Sequence, residues 1–136
     1  MYETFAHTAD MGLRVRARDL NSLYADAARG LFSMMVENLD QVRPVQRKVY
    51  QIAGDERDYL LLDWLNELLF TFDTERLLLA QFDVHVQPSG LSATCHGEPL
   101  DTRRHRVDHE IKAITYHGLK VEQTGDGWLA EVIVDV

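Results

Sequence analysis

The sequence predicts a single α+β domain in which two main helices pack on a largely antiparallel β-sheet. In the first half of the chain, one segment has the three-and-four spacing of an amphipathic helix and a second is apolar over most of a helical circumference, and a period-two alternation of apolar and polar residues begins at Leu77. Turn sequences separate the alternating segments, as in antiparallel hairpins. A length of 136 residues suits one hydrophobic core, so we treat residues 1–136 as one domain.

The composition excludes several classes of protein. The 22 acidic residues outnumber the 14 lysines and arginines, for a net charge of -8, so the chain lacks the positive charge of an independent nucleic-acid binder. A cation or a basic partner suits this charge better. The single cysteine, Cys95, predicts a small buried thiol and no internal disulfide, and the apolar runs are too short to span a bilayer. We therefore expect a cytoplasmic protein without a membrane segment.

The first strand is expected within residues 2–18. After Gly12, apolar residues alternate with arginines, which is typical of a half-buried strand. Asp10 and Gly12 precede this alternation. From these residues alone, we expect Asp10 to cap a turn or bulge and Gly12 to supply a backbone conformation that other residues resist. A functional role for Asp10 requires a second acid from elsewhere in the chain.

Capping residues mark the starts of both predicted helices. Asp19 predicts the N-cap of a first helix over residues 20–36. A polar connection and a short strand over residues 47–52 follow. Asp55 and Asp58 then resemble a capping box at the start of the second helix.

The second helix is expected over residues 56–72, and most of its circumference is apolar, which predicts a central position in the domain. Its polar residues Asp63, Asn66 and Glu67 share one narrow face. This acidic stripe, as we call these three residues, is either a solvated surface or a patch that meets a basic partner or assists a cation site.

The second half of the chain predicts strands joined by marked turns. Pro88-Ser89-Gly90 and Gly125-Asp126-Gly127 are turn sequences, and the latter predicts a hairpin. The predicted strands cover residues 77–79, 82–86, 91–96, 119–122 and 128–134.

Signatures of common enzyme classes are absent from the sequence. It has no glycine-rich phosphate loop before a helix, no paired-cysteine motif and no serine elbow. His85 and His96 occupy polar-facing positions of predicted strands. His105 and His109 are four residues apart, but their segment has no helical period and no third ligand at a recognisable spacing, which argues against a zinc site.

Two further stretches carry side chains suited to chemistry. In Lys112-Ala-Ile-Thr-Tyr-His117, a strand would place Lys112, Ile114 and Tyr116 on one face. The lysine either lies along the sheet with its charge in water or pairs with a phosphate or a partner carboxylate. At the end of the last strand, Asp135 and the α-carboxylate of Val136 suit a hard cation such as Ca²⁺ or Mg²⁺.

Five stretches, in this order along nearly the whole chain, together resemble the archease family. The resemblance implies a small cytoplasmic accessory protein rather than an enzyme. Its partner would be an RtcB-type RNA-splicing ligase, which uses GTP and metal to guanylylate its own histidine, and the accessory protein would promote this step in tRNA splicing or RNA repair. The stretches are His7-Thr8-Ala9-Asp10-Met11-Gly12, Asp63-Trp64-Leu65-Asn66-Glu67-Leu68-Leu69, Gly97-Glu98-Pro99, Lys112-Ala113-Ile114-Thr115-Tyr116-His117 and Val134-Asp135-Val136.

The same resemblance implies the site residues. The metal site of the family falls on Asp10, Asp135 and Val136, with Ca²⁺, Mg²⁺ or Mn²⁺ as the expected cation, and the activating lysine falls on Lys112. The chain departs from the family pattern at His109, where we expect an acid or another polar residue. Two other functions stay open: a stand-alone metal-dependent nucleotide hydrolase that uses the same acids, and a general chaperone or adaptor that acts through the acidic stripe.

Overall fold

The computed structural model describes residues 1–7 and 10–136, and of His7 it describes the backbone only. The α+β class with two main helices is confirmed, and the first helix ends within one residue of its predicted limit. A short 3-10 turn, Leu39–Gln41, follows that helix. In chain order the other elements are strands β1 (Tyr2–His7) and β2 (Asp10–Ala17), helix α1 (Leu20–Met35), strand β3 (Gln46–Ala53), helix α2 (Arg57–Glu75), and strands β4 (Leu77–Gln87), β5 (Gly90–Pro99), β6 (Ala113–Thr124) and β7 (Gly127–Asp135).

The strands form two antiparallel sheets rather than the one sheet that we expected. One sheet has the order β1-β2-β7-β6 and the other has the order β3-β5-β4. Each helix contacts strands of both sheets, so the helices form a layer between them. The alternation of a strand identifies its buried face but not its neighbours, which is why the sequence did not separate the two sheets.

Helix α1 forms the centre of the core. Its buried positions include the small residues Ala27, Ala28 and Gly30, which leave room for strands on both sides of the helix. Trp64 of α2 is fully buried, and its indole N–H donates to the carbonyl oxygen of Tyr24 in α1 at 3.0 Å. In the part of the chain that the structure describes, no helix combines the length and apolar character of a transmembrane span.

The two helix starts differ from each other. Asp19 caps α1 as predicted, because its carboxylate accepts the N–H of Ser22 at 2.8 Å. The predicted capping box of α2 is wrong. The N-cap of that helix is Glu56, which makes no side-chain capping bond, and Asp58 accepts the N–H of the residue that follows it. Since the helix starts one residue later than expected, Asp55 lies before the cap.

The segment expected to hold one strand forms the pair β1 and β2, which are antiparallel with His7 opposite Asp10. The prediction that Asp10 caps a turn or bulge falls on residues 8 and 9, which lie outside the described residues.

The reason predicted for Gly12 is wrong, because Gly12 does not have a positive φ. It lies opposite Phe5 on β1, and the phenyl ring covers it. A Cβ atom at Gly12 would lie 2.1 Å from the ring. The guanidinium of Arg14 lies over the same ring, 4.6 Å from its centroid. Gly12 therefore serves the packing of an aromatic ring across the sheet, a known way to cover a strand glycine.

We predict that Gly12→Ala lowers the free energy of unfolding by about 1–3 kcal/mol, because the methyl group overlaps the Phe5 ring. In a Phe5→Ala background the same substitution should cost much less, and chemical denaturation of the four proteins in this double-mutant cycle measures the difference.

Gly125→Ala is the control for this cycle, because a Cβ atom there meets nothing within 4 Å. An equal cost of Gly12→Ala in both backgrounds would contradict the packing explanation.

Candidate functional site

Strands β2 and β7 bring residues from opposite ends of the sequence together. They are central neighbours in the four-stranded sheet, and their ladder begins where Met11 lies opposite Val134. Asp10 and Asp135 come one residue beyond that pair, at the same end of the sheet. Side chains alternate between the two faces of a strand. Asp10 and Asp135 therefore lie on the face that is turned away from the helices, since the alternate position Leu13 is buried in the core.

Lys112 reaches the same end of the sheet. Its backbone N–H donates to the carbonyl oxygen of Asp135 at 2.8 Å, and its side chain is exposed. Val136 is partly buried against the core. We call these four residues, Asp10, Lys112, Asp135 and Val136, the tip. The three sequence stretches in which we predicted site residues thus converge on the tip.

The carboxylates of the tip have no neutralising partner among the described residues. Other charged groups on the outer face of this sheet pair with one another instead. Arg14 contacts Glu131 at 3.1 Å and Glu3 at 3.3 Å, and Lys120 lies 3.7 Å from Glu131. Two unpaired carboxylates on one sheet face favour a cation between them, and oxygen donors suit Ca²⁺, Mg²⁺ or Mn²⁺.

The tip supplies only two acidic side chains for such an ion. Within residues 1–7 and 10–136, no three His, Cys, Asp or Glu side chains lie close enough together to hold a metal. A cation at the tip would therefore depend on Asp10, Asp135 and the carboxylate of Val136. This donor set fits the cation type that the sequence predicted.

The predicted common face of Lys112, Ile114 and Tyr116 is wrong. Strand β6 begins after Lys112, Ile114 is buried, and Tyr116 is 74% exposed. Lys112 falls outside the strand, and Tyr116 lies where the pairing of β6 with β7 becomes irregular, between Thr115 and Lys120. The sequence contains one signal of this irregularity, Gly118, because a glycine inside a strand pattern often marks a bulge.

A buried polar cluster lies behind the segment that leads to Lys112. The carboxylate of Glu98 accepts two hydrogen bonds from the guanidinium of Arg104, at 2.7 and 3.0 Å, and one from the backbone N–H of Arg43 at 2.6 Å. His105 is 1% exposed, and its Nδ1 accepts the backbone N–H of Asp101. The neutral ring therefore carries its proton on Nε2, which donates to Glu98 at 3.1 Å.

This geometry settles the role of His105. Both ring nitrogens are used inside the protein, so the ring holds the chain in place and does not bind metal. His109 is half-buried, with Nε2 3.6 Å from the carboxylate of Asp108. Cys95 is buried as predicted, and burial raises the pKa of its thiol to about 12. His85 is exposed as predicted, whereas His96 is half-buried.

The segment over residues 100–112 connects the two sheets and lies along the end of α1. The amide of Asn38 donates to the carbonyl of Arg104 at 2.9 Å and accepts the N–H of Arg106 at 2.8 Å. The backbone N–H groups of Asp108 and His109 donate to carbonyls at the C-terminus of α1. The helix end is thereby satisfied, and the segment is fixed up to Lys112.

All three residues of the acidic stripe of α2 are exposed. Tyr59 and Phe70 border it on the same helix face and are 54% and 64% exposed. Helix α2 contacts both sheets, as expected for a central helix, but one of its faces is exposed to solvent. The predicted central position did not anticipate this exposed face.

Comparison with known proteins agrees with this architecture. The model of the Archease protein family (MTH1598/TM1083) matches residues 2–136. The chain is 34% identical over 140 residues to the protein archease of Pyrococcus abyssi, covering 99% of this chain and 98% of the relative. It is 35% identical over 139 residues to that of Methanopyrus kandleri, covering 99% of each. The chain belongs to the archease family.

Solved structures show the same fold as this archease-family chain. The solution structure of protein 1598 from Methanobacterium thermoautotrophicum has a TM-score of 0.87 and 32% identity, and the match covers 99% of this chain and 98% of that chain. The crystal structure of a protein from Thermotoga maritima, described as an archease and possible chaperone, has a TM-score of 0.68. At 22% identity over 100% of this chain and 98% of that chain, the second match supports the fold alone.

We predict that the Glu98 cluster makes stability depend on acid pH. Hydrogen bonds from Arg104, and then from Arg43 and His105, lower the pKa of Glu98 from 4.5 to about 2. A lowered pKa means that the stabilisation is complete above about pH 4.5 and is lost as the pH falls through about 2. The difference in unfolding free energy between the natural protein and Glu98→Gln, measured by denaturation, should therefore shrink from pH 6 to pH 2.

Asp126→Asn is the matched control, because Asp126 is an exposed acid in the β6–β7 turn. If the difference in unfolding free energy between the natural protein and Glu98→Gln stays constant with pH, the ionised Glu98 carboxylate is not the source of the acid dependence.

Proposed function

We propose that the chain activates an RtcB-type RNA-splicing ligase, and that its tip enters or borders the active site of the ligase during guanylylation. The observation that supports this proposal is the convergence of Asp10, Lys112 and Asp135, which are far apart in the sequence, on one end of one sheet. These are the residues to which the resemblance assigned metal binding and activation.

Each residue of the tip has a distinct part in the proposal. Asp10, Asp135 and the Val136 carboxylate would hold a divalent cation at an edge of the molecule. Such a cation neutralises phosphate charge when it is bound. Lys112 is exposed, which leaves its ammonium group accessible to a phosphate or carboxylate of the partner. The guanylylation itself uses the histidine of the ligase, so this chain supplies charge and position rather than a nucleophile.

Two other functions make different demands on the chain. A stand-alone nucleotide hydrolase needs a nucleophile or base beside the acids, and the sequence offers no recognisable one. A general chaperone or adaptor would act through an open surface, and the exposed face of α2 is the observation that favours it. The first predicts turnover by the purified protein alone, and the second predicts sensitivity at Asp63 and Glu67.

We predict that Asp10→Asn, Lys112→Ala and Asp135→Asn each reduce stimulation of ligase guanylylation at least about tenfold, which corresponds to a loss of about 1.4 kcal/mol. Each change removes a charge of the tip without removing a core contact. The measurement is transfer of labelled GMP to the ligase, with circular dichroism to verify that each variant is folded.

Asp126→Asn is again the control, because it removes an equal charge at the opposite end of strands β6 and β7. Full stimulation of guanylylation by all three tip variants would contradict the proposal. A loss confined to Asp63→Asn and Glu67→Gln would favour the adaptor function.

We also predict that the protein binds one divalent cation and that Asp10→Asn and Asp135→Asn each weaken this binding at least about tenfold. Calorimetric titration with Ca²⁺, Mg²⁺ and Mn²⁺ measures the affinity. A chain extended beyond Val136 should bind more weakly as well, because the α-carboxylate is then part of a peptide bond. Equal affinity in the natural protein and in both acid variants would show that the cation, if bound, lies elsewhere.

A further inference from the structure

Strand β6 contains a large bulge close to the tip. Thr115 lies opposite Ile133 of β7, and the next pair is Lys120 with Glu131. Four residues of β6, which we call the β6 bulge (residues 116–119), therefore face a single residue of β7. A regular bulge adds one extra residue to a strand. This bulge adds three.

The bulge does not serve the core. Its first residue, Tyr116, is 74% exposed, and the chain returns to the core only at Leu119, which is partly buried. Gly118 has a φ of 69°, in the left-handed region, and a Cβ atom there would meet nothing within 4 Å. The position is thus restricted by backbone conformation and not by packing. The bulge interrupts the regular pairing with β7 and places a large aromatic side chain in solvent.

The bulge and the tip are adjacent. On β7, Ile133, the partner of Thr115, lies two residues from Asp135. Tyr116, the first residue of the bulge, therefore lies about three residues, or roughly 10 Å, from the end of the sheet. The hydroxyl of Thr115 donates to the carbonyl of Ile133 at 2.9 Å and fixes the strand immediately before the bulge. An exposed ring on the edge strand β6 thus lies near the exposed side chain of Lys112, the residue immediately before that strand.

We propose that the β6 bulge is a docking element, and that Tyr116 is the aromatic anchor by which the protein partner binds beside the tip. The partner surface that fits this element has an apolar pocket for the ring and an acidic or phosphate group that pairs with Lys112. Large, rigid aromatic side chains are enriched among the residues that dominate protein interfaces, because they bury much surface at little cost in conformational entropy. The inference rests on the proposed function, since it takes the ligase as the partner.

The exposed face of α2 is the competing surface. It also carries exposed aromatic side chains, but they flank the acidic stripe, which suits a basic partner. We favour the β6 bulge over this face of α2 as the docking surface, because the bulge adjoins the tip and the proposed function requires the ligase to contact the tip. Tyr59 of α2 therefore offers a matched control, since it is also an exposed tyrosine.

The experiment measures the dissociation constant of the ligase for the full chain, separately from guanylylation, with the chain labelled for fluorescence anisotropy. Tyr116→Ala should weaken binding about 10- to 30-fold, whereas Tyr116→Phe should bind within about threefold of the natural protein. Tyr59→Ala should bind normally. Tyr116→Ala should also keep the melting temperature of the natural protein, because the ring makes no core contact, and saturating amounts of it should still stimulate the ligase.

Each result either supports or overturns the inference. If Tyr116→Ala binds the ligase as tightly as the natural protein, or if Tyr59→Ala loses binding instead, the interface lies elsewhere and the inference is overturned. The inference is also overturned if the natural protein does not bind the ligase. If Asp10→Asn, Lys112→Ala and Asp135→Asn all stimulate fully while Tyr116→Ala binds weakly, the function proposed for the tip fails and the docking element stands.

Discussion

The pairing of β2 with β7 is the constraint on which the rest of the molecule depends. It makes the second strand and the last strand central neighbours of one sheet, and it determines which residues share the end of that sheet. Asp10 and Asp135 are neighbours only through this register. A shift of one residue would turn one of the two acids toward the core, so the hydrophobic alternation of both strands protects the tip as much as it protects the core.

A second set of contacts determines how the chain returns to the tip. The segment over residues 100–112 crosses from one sheet to the other without regular structure, and the buried Glu98 cluster and Asn38 hold it against the end of α1. A buried carboxylate is tolerated there because Arg104 and His105 supply its hydrogen bonds. The position of Lys112 is therefore a consequence of polar contacts that lie well away from the tip.

Much of the fold could be predicted from the sequence, because the patterns involved are local. The limits of α1, the cap at Asp19 and most strands follow from periodicity and from turn residues. The division into two sheets, the ring over Gly12 and the buried ring of His105 depend on contacts between distant segments, which no local pattern contains. Local chemistry and the family resemblance predict Asp10, Lys112 and Asp135 as candidate site residues, whereas their convergence depends on contacts between distant segments, above all the register of β2 with β7. The apolar alternation predicts a regular strand face for Tyr116, and this prediction fails because the bulge interrupts the strand at that residue.

The long range of the β2–β7 pairing also bears on how the molecule is made. Met11 and Val134 are about 120 residues apart in the sequence, so the four-stranded sheet cannot close until β7 has been synthesised. Closing such a long loop is slow compared with forming a local hairpin such as β4–β5 of the other sheet. During translation, β1 and β2 can pair early, but one edge of β2 then stays open until β7 arrives. The tip is thus among the last features to assemble, and a prematurely terminated chain would lack it entirely.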